Sequence, residues 1–147
     1  MKRTILFSLT LVIATLLAVG CCDCRKRSKL ERPLLGTTWQ LVQIMARDVT
    51  PEGDSYTVVL RSDGTLAGRG DCNVFTANYR LTDSRELEIG ELGTTRRYSP
   101  NHEAESAYFD MLEEVTHYEM DADHMLLLSN GTLVGIMKAV GETSDER

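Results

Sequence analysis

Asp63-Gly64-Thr65-Leu66-Ala67-Gly68-Arg69-Gly70-Asp71-Cys72-Asn73-Val74-Phe75-Thr76-Ala77-Asn78-Tyr79 is the stretch whose reading decides the fold. It holds a turn, repeated glycine and a strand. Asp-Gly after an apolar run is hairpin chemistry, because the pair can take the positive φ values that tight turns require. Glycine beside strand-forming residues means that the backbone needs positive φ or close approach at those points. From Asn73 to Leu81, Phe75, Ala77 and Tyr79 alternate with Val74, Thr76 and Asn78, the period-two pattern of a half-buried antiparallel strand.

Working outward, the flanking segments repeat that pattern. Thr37 to Met45 reads as a first strand, with Trp39 and Leu41 on one face, and Tyr56 to Arg61 as a second. Leu66 to Gly70 is a third, short strand, and Glu86 to Leu92 sets Leu87 and Ile89 against acids. His117 to Asp121 and Met125 to Ser129 form a hairpin, and Asn130-Gly131 turns the chain into Thr132 to Val140. Gly141 onward reads as a polar tail. Only Ser99-Pro100 opens a helix, since serine can cap free N–H groups and proline suits the first helical position. Ala104, Ala107, Tyr108, Met111, Leu112 and Val115 mark its inward face. Glu103, Glu105, Asp110, Glu113 and Glu114 mark the outward one, with Glu103 and Glu105 favourable to the helix dipole. About eight short strands and one helix, with no βαβ rhythm, predict a mainly β (α+β) fold: a small antiparallel barrel or strongly curved sheet with one packed amphipathic helix.

The N-terminus speaks of location. Met1-Lys2-Arg3 precedes an apolar run from Ile5 to Val19 that is shorter than the roughly 20 residues a spanning helix needs, as in a secretory signal peptide. Ala18-Val19-Gly20-Cys21 resembles a lipobox, with Ala18 where leucine is most frequent, so Cys21 is the expected lipidation site. The alternatives are an ordinary signal peptide and an uncleaved anchor. Two or three acyl chains would hold the protein stably on a membrane. Arg25-Lys26-Arg27-Ser28-Lys29 is a basic tether suited to anionic headgroups. Pro33 to Arg147 holds 20 Asp and Glu against 9 Lys and Arg, a net of −11 that argues against nucleic-acid binding. The expected organisation is a lipoprotein signal over 1–20, the lipidated cysteine and tether over 21–32, one domain over 33–141 and a tail over 142–147. At 147 residues the chain suits a single core, here expected in a monomer facing the periplasm or cell surface.

Leu35-Gly36-Thr37-Thr38-Trp39-Gln40-Leu41, Asp63-Gly64 with Gly68 and Cys72-Asn73-Val74-Phe75, and Thr94-Thr95-Arg96 before a helix with Glu105 and Phe109 together resemble the META domain, also called HslJ-like, over roughly Leu35 to Ala139. The resemblance implies a lipocalin-like barrel and a non-enzymatic envelope role, through links to heat shock, antibiotic tolerance and motility. It makes Trp39, Asp63, Gly64, Gly68, Cys72, Asn73, Phe75, Tyr79, Thr95 and Glu105 a structural signature. The family's glycine before Cys-Asn is Asp71 here, and its cysteine before proline is Ser99. If that cysteine pairs with the one at Cys72, this chain has lost the bridge and its fold rests on packing alone.

Catalytic, metal and cofactor sites are weakly signalled. His117, Glu119 and Asp121 alternate along one strand with His124 near, but a polar outer face gives the same alternation. Cys22-Asp23-Cys24, beside the lipidation site and without nearby His or further Cys, lacks the paired ligand spacing of a zinc site. Cys72 has two readings, a redox-sensitive thiol or a small apolar residue buried in the barrel, and the second is favoured by its having only Arg69 as a nearby cation. Ser99 and Ser106 lie in no nucleophile elbow. Arg69-Gly70-Asp71 and Asn130-Gly131-Thr132 are short motif matches that strand ends and turns already explain. No cofactor, metal or enzymatic activity is expected. Two function classes remain: an envelope lipoprotein that binds another protein or serves in envelope stress, and a barrel that holds a small apolar ligand. Trp39, Phe75, Tyr79 and Tyr108 are enough to fill a barrel of this size, which favours the first.

Overall fold

The computed structural model describes residues 32–142. Cys21, Cys22, Cys24, the signal segment and the tether through Glu31 lie outside the described residues, as does the tail from residue 143. Ten strands and one helix follow in the order β1 (Thr37–Ile44), β2 (Arg47–Asp48), β3 (Thr57–Leu60), β4 (Thr65–Arg69), β5 (Val74–Leu81), β6 (Leu87–Ile89), β7 (Gly93–Thr94), α1 (His102–Glu114), β8 (His117–Asp121), β9 (His124–Ser129) and β10 (Thr132–Glu142).

Local turn chemistry sets the strand order. Asn130 and Gly131 both take positive φ, 49° and 82°, and send β9 back as β10. Gly64, at φ 82°, closes the β3–β4 loop, in which Asp63 Oδ1 accepts from Thr65 N at 2.9 Å and the Arg61 N–H meets Thr65 O. Asp63 itself stays out of the left-handed region, so this is a longer loop ending on one glycine rather than a two-residue turn. The strands pair antiparallel in the order β6-β5-β4-β3-β1-β10-β9-β8, with β2 added to β1 and β7 to β5.

The sheet curls into a lipocalin-like half-barrel. Register shifts in the β1–β10 pair between Thr38 and Trp39 and between Leu41 and Gln43 increase its twist. Gly68 permits a tight bend, because a Cβ there would lie 2.1 Å from Thr57 O and 2.5 Å from Phe75 Cζ. The two ends of the strand order then meet: Leu87 N donates to Thr116 O at 3.0 Å and Tyr118 N to Arg85 O at 3.1 Å. At the other terminus β10 continues through Gly141 and Glu142, where a tail was expected, because Thr38 and Thr37 supply partners for both.

Side chains fill the interior. Trp39, Leu41, Leu60, Leu66, Phe75, Leu87, Met125, Leu127 and Met137 come from the strands, and Tyr108, Met111 and Leu112 from α1, all buried. Tyr108 stands at the centre of an aromatic cluster, edge-on to Tyr56 at 5.5 Å and to Phe75 at 6.0 Å. Its hydroxyl is buried with no hydrogen-bond partner among the described residues. Burial alone pushes its ionisation well above the ordinary tyrosine range. Of the inward residues expected on the helix, Ala104 is exposed. Helix α1 begins at His102, two residues beyond the expected Pro100 start, so the buried stripe is Glu105, Tyr108, Met111 and Leu112.

Candidate functional site

Four residues of the signature, Cys72, Asn73, Thr95 and Glu105, converge at one place, where the loop between β4 and β5 meets the first turn of α1. Gly70 N donates to Asn73 O at 2.7 Å, which tightens the loop, and the amides of Cys72 and Asn73 face the helix. Glu105 receives them. Its Oε1 accepts from Cys72 N at 2.9 Å and Asn73 N at 2.8 Å, and its Oε2 accepts from Asn73 Nδ2 at 2.6 Å. Glu105 is only 5% exposed, so helix position 105 belongs to the inner face, not the solvated one that its residue type predicts. A buried carboxylate is tolerable here because three N–H donors satisfy it. Gly70 is required for the approach: a Cβ would sit 2.5 Å from Glu105 Oε1 and 2.9 Å from Phe109 Cζ.

Asn73 is the hub. Beyond Glu105, its Nδ2 donates to Arg97 O at 3.1 Å, and its Oδ1 accepts from Arg97 N at 2.7 Å and Thr95 Oγ1 at 3.0 Å. Thr95 Oγ1 also accepts from Val74 N at 3.2 Å. One asparagine thereby fixes the strand-to-helix segment after β7 against β5, and both of its amide hydrogens and its oxygen are used.

Cys72 corrects the expectation of a thiol inside the barrel. It is half-buried in the loop before β5, and its Sγ lies 3.7 Å from Asp71 Oδ2. The same Asp71 oxygen accepts from Ser99 Oγ at 2.6 Å and Asn101 Nδ2 at 3.4 Å, and Ser99 Oγ accepts from Asn101 N at 3.1 Å. Ser99, at the position where the resemblance would place a bonding partner for Cys72, shares the Asp71 Oδ2 atom with it, and the hydrogen bond from Ser99 to Asp71 joins the two segments. The idea that packing alone holds this copy of the fold is therefore corrected. These bonds, led by that of Ser99, hold the Asp71 carboxyl below the ordinary aspartate range. Asp63 is likewise lowered, chiefly by Thr65, but it lies in the β3–β4 turn. Tyr56, whose N–H donates to Gly70 O at 3.1 Å, is raised by burial and then by the charges of Asp71, Glu105 and Cys72.

The other signature residues have separate places. Trp39 and Phe75 are core, and Gly64 and Gly68 shape the backbone. Tyr79 is half-buried, and its hydroxyl donates to Arg61 O. The strand β8 shows the alternation of a polar outer face, with His117, Glu119 and Asp121 exposed and Tyr118 and Met120 half-buried. His124 Nδ1 lies 2.8 Å from Asp123 Oδ1. Among the described residues no three His, Cys, Asp or Glu side chains converge as a metal site. Surface hollows are open and charged. One of about 610 Å³ lies between β5, β6 and the end of α1, lined by Arg80, Glu88, Glu113 and Glu114 among others. The burial of Glu105 had one signal in the sequence: it stands three residues before Tyr108 and seven before Leu112, on the same helical stripe.

Solved structures of other proteins resemble this fold. A solution NMR structure of a protein from Burkholderia xenovorans is 26% identical, covers 73% of this chain and 83% of its own, and superposes with a TM-score of 0.54. A crystal structure of a duf4847 family protein from Bacteroides vulgatus ATCC 8482, 15% identical, covers 76% of this chain and 96% of its own at a TM-score of 0.55, a likeness of fold alone. A comparison with curated proteins gave no match. The META domain model matches residues 32–140, which spans every strand but the last residues of β10, the helix and the whole Asp71–Asn73–Glu105 network. A half-barrel with one packed helix, latched through these residues, is a small β domain, and the chain belongs to the META domain family.

Proposed function

We propose that this chain is a lipid-anchored protein of the bacterial cell envelope whose META domain works without enzymatic chemistry, through its surface, in binding an envelope protein under stress. The observation that carries the reading is the use of the polar groups where the β4–β5 loop meets α1. Asn73, Glu105, Asp71, Thr95 and Ser99 are bonded to one another and to the backbone, which leaves no convergent acid, base and nucleophile free to meet a substrate. The interior points the same way, since Trp39, Tyr108, Phe75 and nine further large side chains occupy the space a buried ligand would need. Anchorage is supported by the order of positive start, apolar run, small residues and Cys21. No helix among the described residues is long and apolar enough to cross a membrane.

Mass spectrometry of the mature protein tests the anchor. A diacylglyceryl group on Cys21 is expected; a free N-terminus beyond Cys24 would contradict it. Native mass spectrometry of the purified mature chain tests the rest. A reproducible stoichiometric small-molecule adduct would replace this reading with that of a ligand-binding barrel.

A further inference from the structure

The segment from Gly93 to Tyr98 is exposed throughout, and its last three residues are Arg96, Arg97 and Tyr98. Tyr98 is 87% exposed, more than any other large apolar or aromatic side chain noted on the described surface. Neither guanidinium forms an ion pair among the described residues, whereas Arg69 and Arg80 are paired with Asp54 and Glu88. Arg96-Arg97 is also the one pair of adjacent cations between residues 32 and 142, in a domain of strong negative charge. An exposed tyrosine beside two unpaired arginines is an unusual use of surface in such a chain.

The loop is held in place from beneath. Asn73 grips both the N–H and the C=O of Arg97, at 2.7 and 3.1 Å, Thr95 N donates to Val74 O at 3.0 Å, and Ser99 is buried on Asp71. The buried network therefore presents Arg96, Arg97 and Tyr98 on a fixed backbone, which lowers the ordering cost of any contact they make. Exposed Val74, paired in register beside this segment, adds an apolar neighbour.

We propose that the Arg96-Arg97-Tyr98 loop is a docking surface for anionic phospholipid headgroups, with the two guanidinium groups on phosphate and Tyr98 at headgroup depth. Arginine binds phosphate through a planar fork, and tyrosine settles where one end of a side chain is apolar and the other wet. Three loop residues and Val74 are far fewer than the roughly 20–30 residues a side of a stable protein interface. A membrane needs less, because the inference rests on the lipid-anchor reading. Cys21 is eleven residues before Arg32, a span of at most about 40 Å, so an anchored domain meets the headgroups at high effective concentration. The remaining acidic surface would be repelled, so docking through this one loop would also orient the domain.

The test uses the mature full chain carrying Cys21→Ser, so that acylation plays no part, with vesicles of phosphatidylcholine alone or mixed with phosphatidylglycerol. Co-sedimentation is expected only with the anionic vesicles and should fall as salt rises. Arg96→Gln/Arg97→Gln should weaken it about 30-fold, the worth of two arginines at such a surface, while leaving Trp39 fluorescence unchanged. Tyr98→Ser serves as an independent variant and should weaken it several-fold. Unchanged partition in both variants, with binding lost only on neutralising Arg25, Lys26, Arg27 and Lys29, would assign the contact to the tether and overturn the proposal, as would no binding at all. An unacylated Cys21 in the native protein would instead remove the anchor and leave this vesicle result standing.

Discussion

Replacing Glu105 perturbs the latch between the β4–β5 loop and α1 at its centre. Glu105→Ala removes the acceptor for Cys72 N, Asn73 N and Asn73 Nδ2, which lie 2.9, 2.8 and 2.6 Å from it. A buried donor left without a partner costs about 1–3 kcal/mol, and three such donors are left here. Asn73 is 5% exposed, so solvent does not readily take the place of the carboxylate, and we expect a loss of about 4 kcal/mol. Small domains total about 5–15 kcal/mol, so the variant should be close to unfolding in mild denaturant. Glu105→Gln is the sharper probe. Asn73 Oδ1 is committed to Arg97 N and Thr95 Oγ1, so Asn73 cannot turn its amide over. The NH₂ of the new glutamine must then face either Asn73 Nδ2 or the two backbone N–H groups, donor against donor. That clash and the loss of charge should cost about 2 kcal/mol. The chain has a single tryptophan, Trp39, fully buried with its Nε1 on Leu34 O at 3.1 Å, which makes urea unfolding readable by intrinsic fluorescence. At an m-value of about 1.3 kcal/mol/M the midpoints should fall by roughly 3 M for alanine and 1.5 M for glutamine. An alanine variant within about 1 kcal/mol of the parent, or a glutamine variant indistinguishable from it, would refute the reasoning.

Tyr108→Phe should raise stability by about 1 kcal/mol, since it deletes a buried hydroxyl that has no protein partner while keeping the ring contacts; a loss on thermal denaturation would show that the hydroxyl is satisfied in solution. Gly68→Ala should cost more than about 3 kcal/mol, because its Cβ meets the Thr57 carbonyl at 2.1 Å, whereas Gly135→Ala should cost about 1 kcal/mol, its contact being the movable Met111 Sδ at 2.4 Å. Equal midpoints for the two glycine variants would contradict this ordering. Asp71 is more acidic folded than unfolded, so its contribution is present above the unfolded value near 4 and is lost as pH falls through the lower folded value. Ser99→Ala should therefore weaken the protein at neutral pH, with the difference from the parent shrinking as a urea titration is repeated towards pH 2.

Much of the fold was legible because local chemistry and tertiary structure agree. Asn130-Gly131 adopts the two positive φ values that such a pair favours, and Phe75, Ala77 and Tyr79 lie on one side of β5 as their spacing requires. The register of β10 was not, because Gly141 and Glu142 are strand only by virtue of Thr37 and Thr38, more than a hundred residues earlier. The two-residue strands β2 and β7 carry too little pattern to announce themselves. At the candidate site the residues were found but their roles were not. The charge of Glu105 predicts a solvated position, while its burial depends on amides 32 and 33 positions away. The Ser99-Pro100 pair predicts a helix cap at Ser99. It does accept from Asn101 N, yet its shorter bond is to Asp71, which no local pattern encodes.

Amide hydrogen exchange at Cys72 and Asn73 tests the central claim, that the signature stretch is an architectural latch, without altering a residue. Both N–H groups lie outside the strands and donate only to the Glu105 side chain. If the buried carboxylate ties this loop into the cooperative core, the two amides should exchange by global unfolding, as slowly as those of β1 around Trp39. Exchange on the timescale of the exposed Glu52–Asp54 turn would mean that the loop opens on its own, and would contradict the account.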